Sequence, residues 1–209
     1  MHNGMDTREK ILEVAESEFA IMGHAGAHLQ RIAEQVGVQK TALYYYFPSK
    51  AALYLAVLSR MMEDFERTVA TAVGREVPHR ERLERLLDDI NDLLAEKRNY
   101  SQILIRIFVD RTGVDLSPLQ PLIAGTIGAV MTFYREGVSE GVFRKLSSRH
   151  VFQSLLGSAV FHYAARQFSA QVLDVDDIFT RAAVAWRREE ARSLLLGGLL
   201  VKSDGDGAD

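Results

Sequence analysis

Between Leu29 and Lys50 the chain reads LQRIAEQVGVQKTALYYYFPSK, and this stretch has little freedom in how it folds. Leu29, Ile32, Ala33 and Val36 recur at spacings of three and four, which puts them on one helical face. Gly37 supplies the positive φ that a sharp turn demands, and Val38 packs back beneath it. Leu43 and Phe47 give the next segment its buried side. Pro48 stops that segment, because the residue before a proline avoids the α region. Two short helices joined by a glycine turn make a helix-turn-helix. On the second helix Gln39, Lys40, Thr41, Tyr44 and Tyr45 fall away from the buried side. They are donors and aromatics suited to phosphates and base edges.

The flanks extend the helical pattern. Asp6 followed by Glu9 fits a capping box, opening a helix to about Met22 that buries Ile11, Leu12, Ala15, Phe19 and Met22. Gly23 is expected to end it, with GHAG as a loop. Ser49 is a plausible N-cap for a longer helix to about Val73, with Leu53, Val57, Met61 and Phe65 inward. The Gly74–His79 stretch, holding Pro78, reads as a domain boundary. Five further helices are expected: about Arg80–Lys97, Tyr100–Arg111, Leu122–Gly141, Ser148–Ser169 and Asp176–Leu196. Tyr100–Arg111 is apolar over most of its surface, so a central place is expected for it. Gly125 and Gly128 suggest close packing or pocket space in the fifth of the long helices. The first five residues and the tail KSDGDGAD read as disordered. No strand-like alternation and no internal repeat occur. The expected fold is all-α with about nine helices, in two domains spanning residues 6–62 and 75–202.

Hydrophobic residues make up 47% of the 209, enough for a substantial core, and only four prolines interrupt them. There is no cysteine, which excludes disulfides and thiolate metal sites. No apolar run approaches a membrane span, and the start MHNGMDTREK lacks an apolar signal region, so a cytoplasmic protein is expected. The net charge of −3 does not announce a nucleic-acid binder. Residues 1–50 hold five Lys/Arg against six Asp/Glu, but three of those cations, Arg31, Lys40 and Lys50, lie in the helix-turn-helix. No phosphate loop, HExxH or serine elbow is present, so neither enzymatic activity nor a cofactor is expected.

The run Ile32–Lys50 resembles the DNA-binding helix-turn-helix of TetR-type transcriptional regulators. Ile32-Ala33, Gly37-Val38, Leu43-Tyr44, Phe47 and Lys50 fall in the family's register, and the likeness extends from about Asp6 to about Met62. The resemblance implies that Tyr44 and Lys50 bind phosphates, often with Tyr45, and that Gln30, Lys40 and Thr41 read base edges. Gln pairs with adenine and Lys with guanine, which suits those roles. His28 departs from the pattern. It stands where the family places Ser or Thr as N-cap of the first short helix, at about residues 28–47 of the motif. Imidazole caps poorly, although a protonated ring can donate to a phosphate.

The resemblance also implies a homodimeric repressor on a near-palindromic operator, its two recognition helices about 34–36 Å apart in successive major grooves of double-stranded DNA. The C-terminal part then supplies a dimer interface, expected on the last two long helices, and a pocket for a small-molecule effector of unidentified structure. Ile103, Ile107, Phe108 and Ile127 are candidate pocket walls, together with Met131, Tyr134, Phe161 and Phe168. Arg106, Tyr134 and His162 are candidate polar anchors. The competing reading is a helical small-molecule carrier whose N-terminal helices are only structural. No membrane partner is expected.

Overall fold

The computed structural model describes residues 6–110 and 113–201. The expectations for residues 1–5, for the tail from Lys202 and for Arg111 lie outside the described residues. Ten α-helices follow one another: α1 Thr7–Gly26, α2 Leu29–Val36, α3 Lys40–Tyr46, α4 Lys50–Val73, α5 His79–Glu96, α6 Tyr100–Val109, α7 Gln120–Ser139, α8 Ser148–Ala164, α9 Arg166–Leu173 and α10 Arg181–Leu199. The architecture is all-α. A short 3-10 turn, Ser117–Leu119, precedes α7, and an antiparallel bridge between Phe143 and Leu200 ties the end of α10 to the α7–α8 turn.

Three boundaries differ from the sequence reading. The helix expected to end near Met22 continues through a kink at Gly23 (φ 67°, ψ 175°) to Gly26, so His24 belongs to a helical turn and packs beside Phe19 and Tyr54. The helix expected from Ser148 to Ser169 breaks at Ala165 (φ −90°, ψ 38°), where no glycine or proline marks the place. There the Ser169 hydroxyl donates to the His162 carbonyl at 2.8 Å. The last helix starts at Arg181 with Thr180 as cap, its side chain accepting from the Ala183 N–H, instead of at about Asp176. Asp174 sits in the left-handed region at the end of α9.

Packing follows the apolar stripes. Ile11, Ala15 and Phe19 of α1, Ile32 and Ala33 of α2, Leu43 of α3 and Leu53, Val57, Leu58 and Met61 of α4 share one buried cluster. That cluster continues through Leu94, Tyr100, Ile103 and Leu104 to Val160 and Tyr163. A second cluster joins the far end of α4 (Val69, Ala72) to α5, α7 and Phe143. Burying these side chains is the main stabilising term, roughly 1.5–3 kcal/mol for each large one. Helix α4 is therefore held at both ends, by α1 near its start and by α5 and α7 further on. The ion pairs of Arg60 with Glu9 (2.5 Å) and Glu16 (2.7 Å) fasten it to α1. Helix α6 is central only in its first half. Tyr100, Ile103 and Leu104 are buried, whereas Phe108 and Val109 are exposed.

A candidate nucleic-acid interface and a ligand cavity

The α2–α3 turn is built as its residues require. Gly37 adopts φ 81° and ψ 32°, and the N–H groups of Gly37 and Val38 both donate to the Ala33 carbonyl at 3.0 Å. These bonds satisfy carbonyls that a helix end otherwise leaves open. Helix α3 then buries Leu43 and presents Gln39, Lys40, Thr41, Tyr44 and Tyr45 outward. Tyr45 is 84% exposed. A tyrosine so placed contributes nothing to the core, so the α3 surface is an open platform of donors and aromatic rings.

The remaining candidates are more engaged. Gln30 is exposed, and its amide donates to Glu34 on the next turn at 2.9 Å. His28 makes no side-chain cap for α2, as its chemistry leads one to expect. The start of α2 is held instead by Glu18, which is almost fully buried. It accepts from the His28 backbone N–H at 3.4 Å and pairs with Arg31 at 3.4 Å. No local signal in the sequence marks this role of Glu18. The Lys50 ammonium donates to the carbonyls of Ala25 and Ala27, each at 3.1 Å. It thereby closes the end of α1 against the start of α4.

A partly open cavity of about 310 Å³ lies in the C-terminal part, lined by residues of α4, α5, α6, α7, α8 and α10. Its walls are overwhelmingly apolar, including Leu58, Met62 and Phe65 from α4, Leu86 and Ile90 from α5, and Leu155 and Leu156 from α8. Of the sequence candidates, Ile107, Phe108 and Ile127 line it. Ile103 instead fills the core. Met131 does not line it, nor does Tyr134, which stacks on Phe143 and donates its hydroxyl to the Arg144 carbonyl at 2.5 Å. Arg106 points the other way altogether. Its Nε donates to the Ala20 carbonyl at 2.8 Å, its Nη2 to the Ile21 carbonyl, and Nη1 meets Asp110 at 3.4 Å. This residue is a link between α6 and the C-terminal turn of α1. Phe161, His162 and Phe168 line a second hollow, between α8, α9 and α10. His162 is buried there, and burial, with help from the Arg187 charge, pushes its imidazole pKa down to about 4. Sequence reasoning also missed the arginines of α10 in the main cavity wall, Arg187, Arg188 and Arg192, because a charged run reads as a solvated face.

Residues 11–57 match the family described as bacterial regulatory proteins, tetR family. Over 56 residues the chain is 48% identical to the HTH-type transcriptional regulator RutR of Escherichia coli strain K12. That match covers 27% of this chain and 26% of RutR, so the chain spans about a quarter of that relative's length. Fold similarity is far wider. The ketosteroid transcriptional regulator KstR2 of Mycobacterium tuberculosis superposes with a TM-score of 0.74 at 17% identity, over 97% of this chain and 98% of that one. AibR, solved in complex with isovaleryl coenzyme A and operator DNA, does so at 0.72 and 19%, over 92% and 100%. The N-terminal unit with its turn at Gly37, and a whole-chain helical fold shared with such regulators, define the class: a helix-turn-helix protein joined to a helical cavity domain. The tetR-family match over residues 11–57, the regulators it resembles and the shared helical fold together support a TetR-type transcriptional regulator.

Proposed function

We propose that this protein is a sequence-specific regulator of transcription that binds a near-palindromic operator as a homodimer and leaves it when a small, mostly apolar ligand enters the cavity. The observation that carries this reading is the outward row Gln39, Lys40, Thr41, Tyr44 and Tyr45 on α3, directly after the Gly37 turn that closes α2. In this reading Tyr44, Tyr45 and Lys50 meet phosphates, with His28 beside them, and Gln30, Lys40 and Thr41 meet base edges. The domains are residues 6–62 for DNA and 75–202 for ligand and partner.

A recognition helix of seven residues offers too few contacts to hold DNA alone, so two copies are required. The face of α8, α9 and α10 suits that pairing. Phe161 and Phe168 are each 55% exposed and Trp186 is 47% exposed, all on one side. Exposed apolar patches of this kind mark interaction surfaces. Leu156 of α8 lines the cavity and is unsuited to a test of the interface. Charge substitution at Phe161 and Trp186 is therefore the cleaner probe, and F161E with W186E should yield monomers that lose specific DNA binding.

The deciding experiment selects bound fragments from random duplex DNA and measures their affinity against salt. A palindromic consensus with a steep salt slope is expected, since phosphate contacts release counterions. A protein that binds no duplex at low salt would be a carrier, and this reading would fall.

A further inference from the structure

Six polar residues line the main cavity: Asn91, Thr126, Ser158, Arg187, Arg188 and Arg192. Five are already committed. The Asn91 amide accepts from the Tyr163 hydroxyl at 2.9 Å and donates toward Asp92 and the Val184 carbonyl. Thr126 and Ser158 return their hydroxyls to the carbonyls of Leu122 and Leu155, both at 3.0 Å. Arg188 is neutralised by Asp92 at 2.5 Å and Arg192 by Asp88 at 2.7 Å.

Arg187 differs from all of them. Its Nη2 donates to the Ser158 carbonyl at 2.8 Å, which seats the guanidinium at the α8–α10 wall of the cavity. Among the described residues it forms no ion pair with any carboxylate. Glu190, which shares the neighbouring groove, accepts from the Trp186 indole N–H at 3.3 Å instead. A guanidinium carries five N–H donors, so most of the fork is unspent. Withdrawing its charge from water without a counter-ion is costly, and burial accordingly lowers its pKa.

We propose that the ligand of this cavity is an amphipathic anion, an apolar body with one carboxylate, and that Arg187 is the residue that receives the carboxylate. The inference rests on the ligand-responsive reading above and adds the charge of the effector to it. An arginine fork matches a carboxylate in two parallel hydrogen bonds. The apolar walls take the hydrocarbon, and the volume of about 310 Å³ restricts its size, lying at the low end of ligand pockets, about 300–1,000 Å³. The two neutralised arginines leave no second positive charge to favour a dianion. A neutral ligand of the same shape would cover the half-buried Arg187 without compensating its charge, so the site discriminates by charge as well as by shape.

The test is calorimetric titration of the full-length protein with hexanoate, octanoate and decanoate, each against its primary amide. The acid is expected to bind more tightly than the amide by roughly ten- to a hundredfold, the scale of charge-assisted hydrogen bonds. R187Q should abolish that preference while leaving amide binding in place, and R187K should restore part of it. Equal affinity for acid and amide in the wild-type protein overturns the inference and leaves the apolar cavity reading standing. So does an R187Q protein that keeps the preference, or one in which only dimer dissociation changes, since Arg187 would then serve the neighbouring groove. If neither acid nor amide binds at any length, the apolar-ligand reading falls and this inference falls with it.

Discussion

At the scale of single residues, Lys50 and Lys40 separate two kinds of contribution. Lys50 holds the carbonyls of Ala25 and Ala27 while standing at a position that the proposed function assigns to a phosphate. Lys50→Ala should therefore lower folding stability by about 1 kcal/mol through lost charge-assisted bonds, and weaken every DNA sequence alike with a salt slope smaller by about one. Lys40 is exposed on α3. Lys40→Ala should leave stability within about 0.5 kcal/mol of wild type and cost roughly 1–3 kcal/mol at particular base pairs only. Urea melts beside binding to a panel of operator variants separate the two. His162 gives a second residue-scale test. Its folded pKa of about 4 lies below the ordinary 6.5, so between those values the unfolded chain binds a proton that the native chain refuses. Stability is then complete above about pH 6.5 and is lost as pH falls toward about 4, by roughly 3 kcal/mol. Urea midpoints measured across that window should fall on acidification, and H162Q should flatten the dependence. An equal fall in H162Q would place the effect elsewhere.

At the scale of elements, glycines on one helix behave oppositely. A Cβ at Gly137 would come within 2.3 Å of the Phe143 ring, which is buried against Tyr134, Phe133 and His79. A Cβ at Gly128, in the middle of α7, meets nothing within 4 Å. Gly137→Ala should cost about 1–3 kcal/mol through overpacking, while Gly128→Ala should gain up to about 1 kcal/mol from helix propensity. Thermal melts of both variants check the contrast, and comparable stabilities would refute it. Gly125 and Gly128 were the glycines that the sequence suggested for close packing or pocket space; both face open space, and the closely packed one is Gly137. The reason is general to this chain. Elements fixed by local chemistry, such as the Gly37 turn and the Ser49 cap, whose hydroxyl accepts from the Ala52 N–H at 3.0 Å, were legible because their signals are adjacent in sequence. The break at Ala165 depends on Ser169 reaching His162, and the crowding at Gly137 on Phe143 folding back, so neither leaves a local mark. The outward row of α3 could be read from periodicity. The cavity could not, because helices packed on several sides show apolar residues toward both core and cavity.

At the scale of the molecule, the question is how a ligand in the cavity is felt at α3, and two connections lead there. Helix α4 runs continuously from Lys50 beside the motif to Phe65 and Val69 in the cavity wall. Helix α6 offers a second path. Its Leu104, Ile107 and Phe108 line the cavity, while both its ends are tied to α1. At its start Asn99 donates to Glu16 at 3.1 Å and Ser17 at 3.2 Å, and near its end Arg106 holds the Ala20 and Ile21 carbonyls beside the Gly23 kink. A ligand that displaces Ile107 or Phe108 therefore pulls on α1, and α1 carries the core on which α2 and α3 sit. In the proposed function, operator and effector oppose each other by a coupling free energy of typically about 1–3 kcal/mol, and each must weaken the other equally. Arg106 touches neither the exposed face of α3 nor the cavity, so Arg106→Ala should leave both separate affinities near wild type. It should reduce the coupling by roughly 0.5–2 kcal/mol, the range for residues that lie between two linked sites. Effector affinity measured with and without operator, in wild type and variant, gives that coupling directly. An unchanged coupling in the variant would assign the transmission to α4 alone, and a variant that lost operator affinity without any effector would make Arg106 a support of the DNA-binding unit instead.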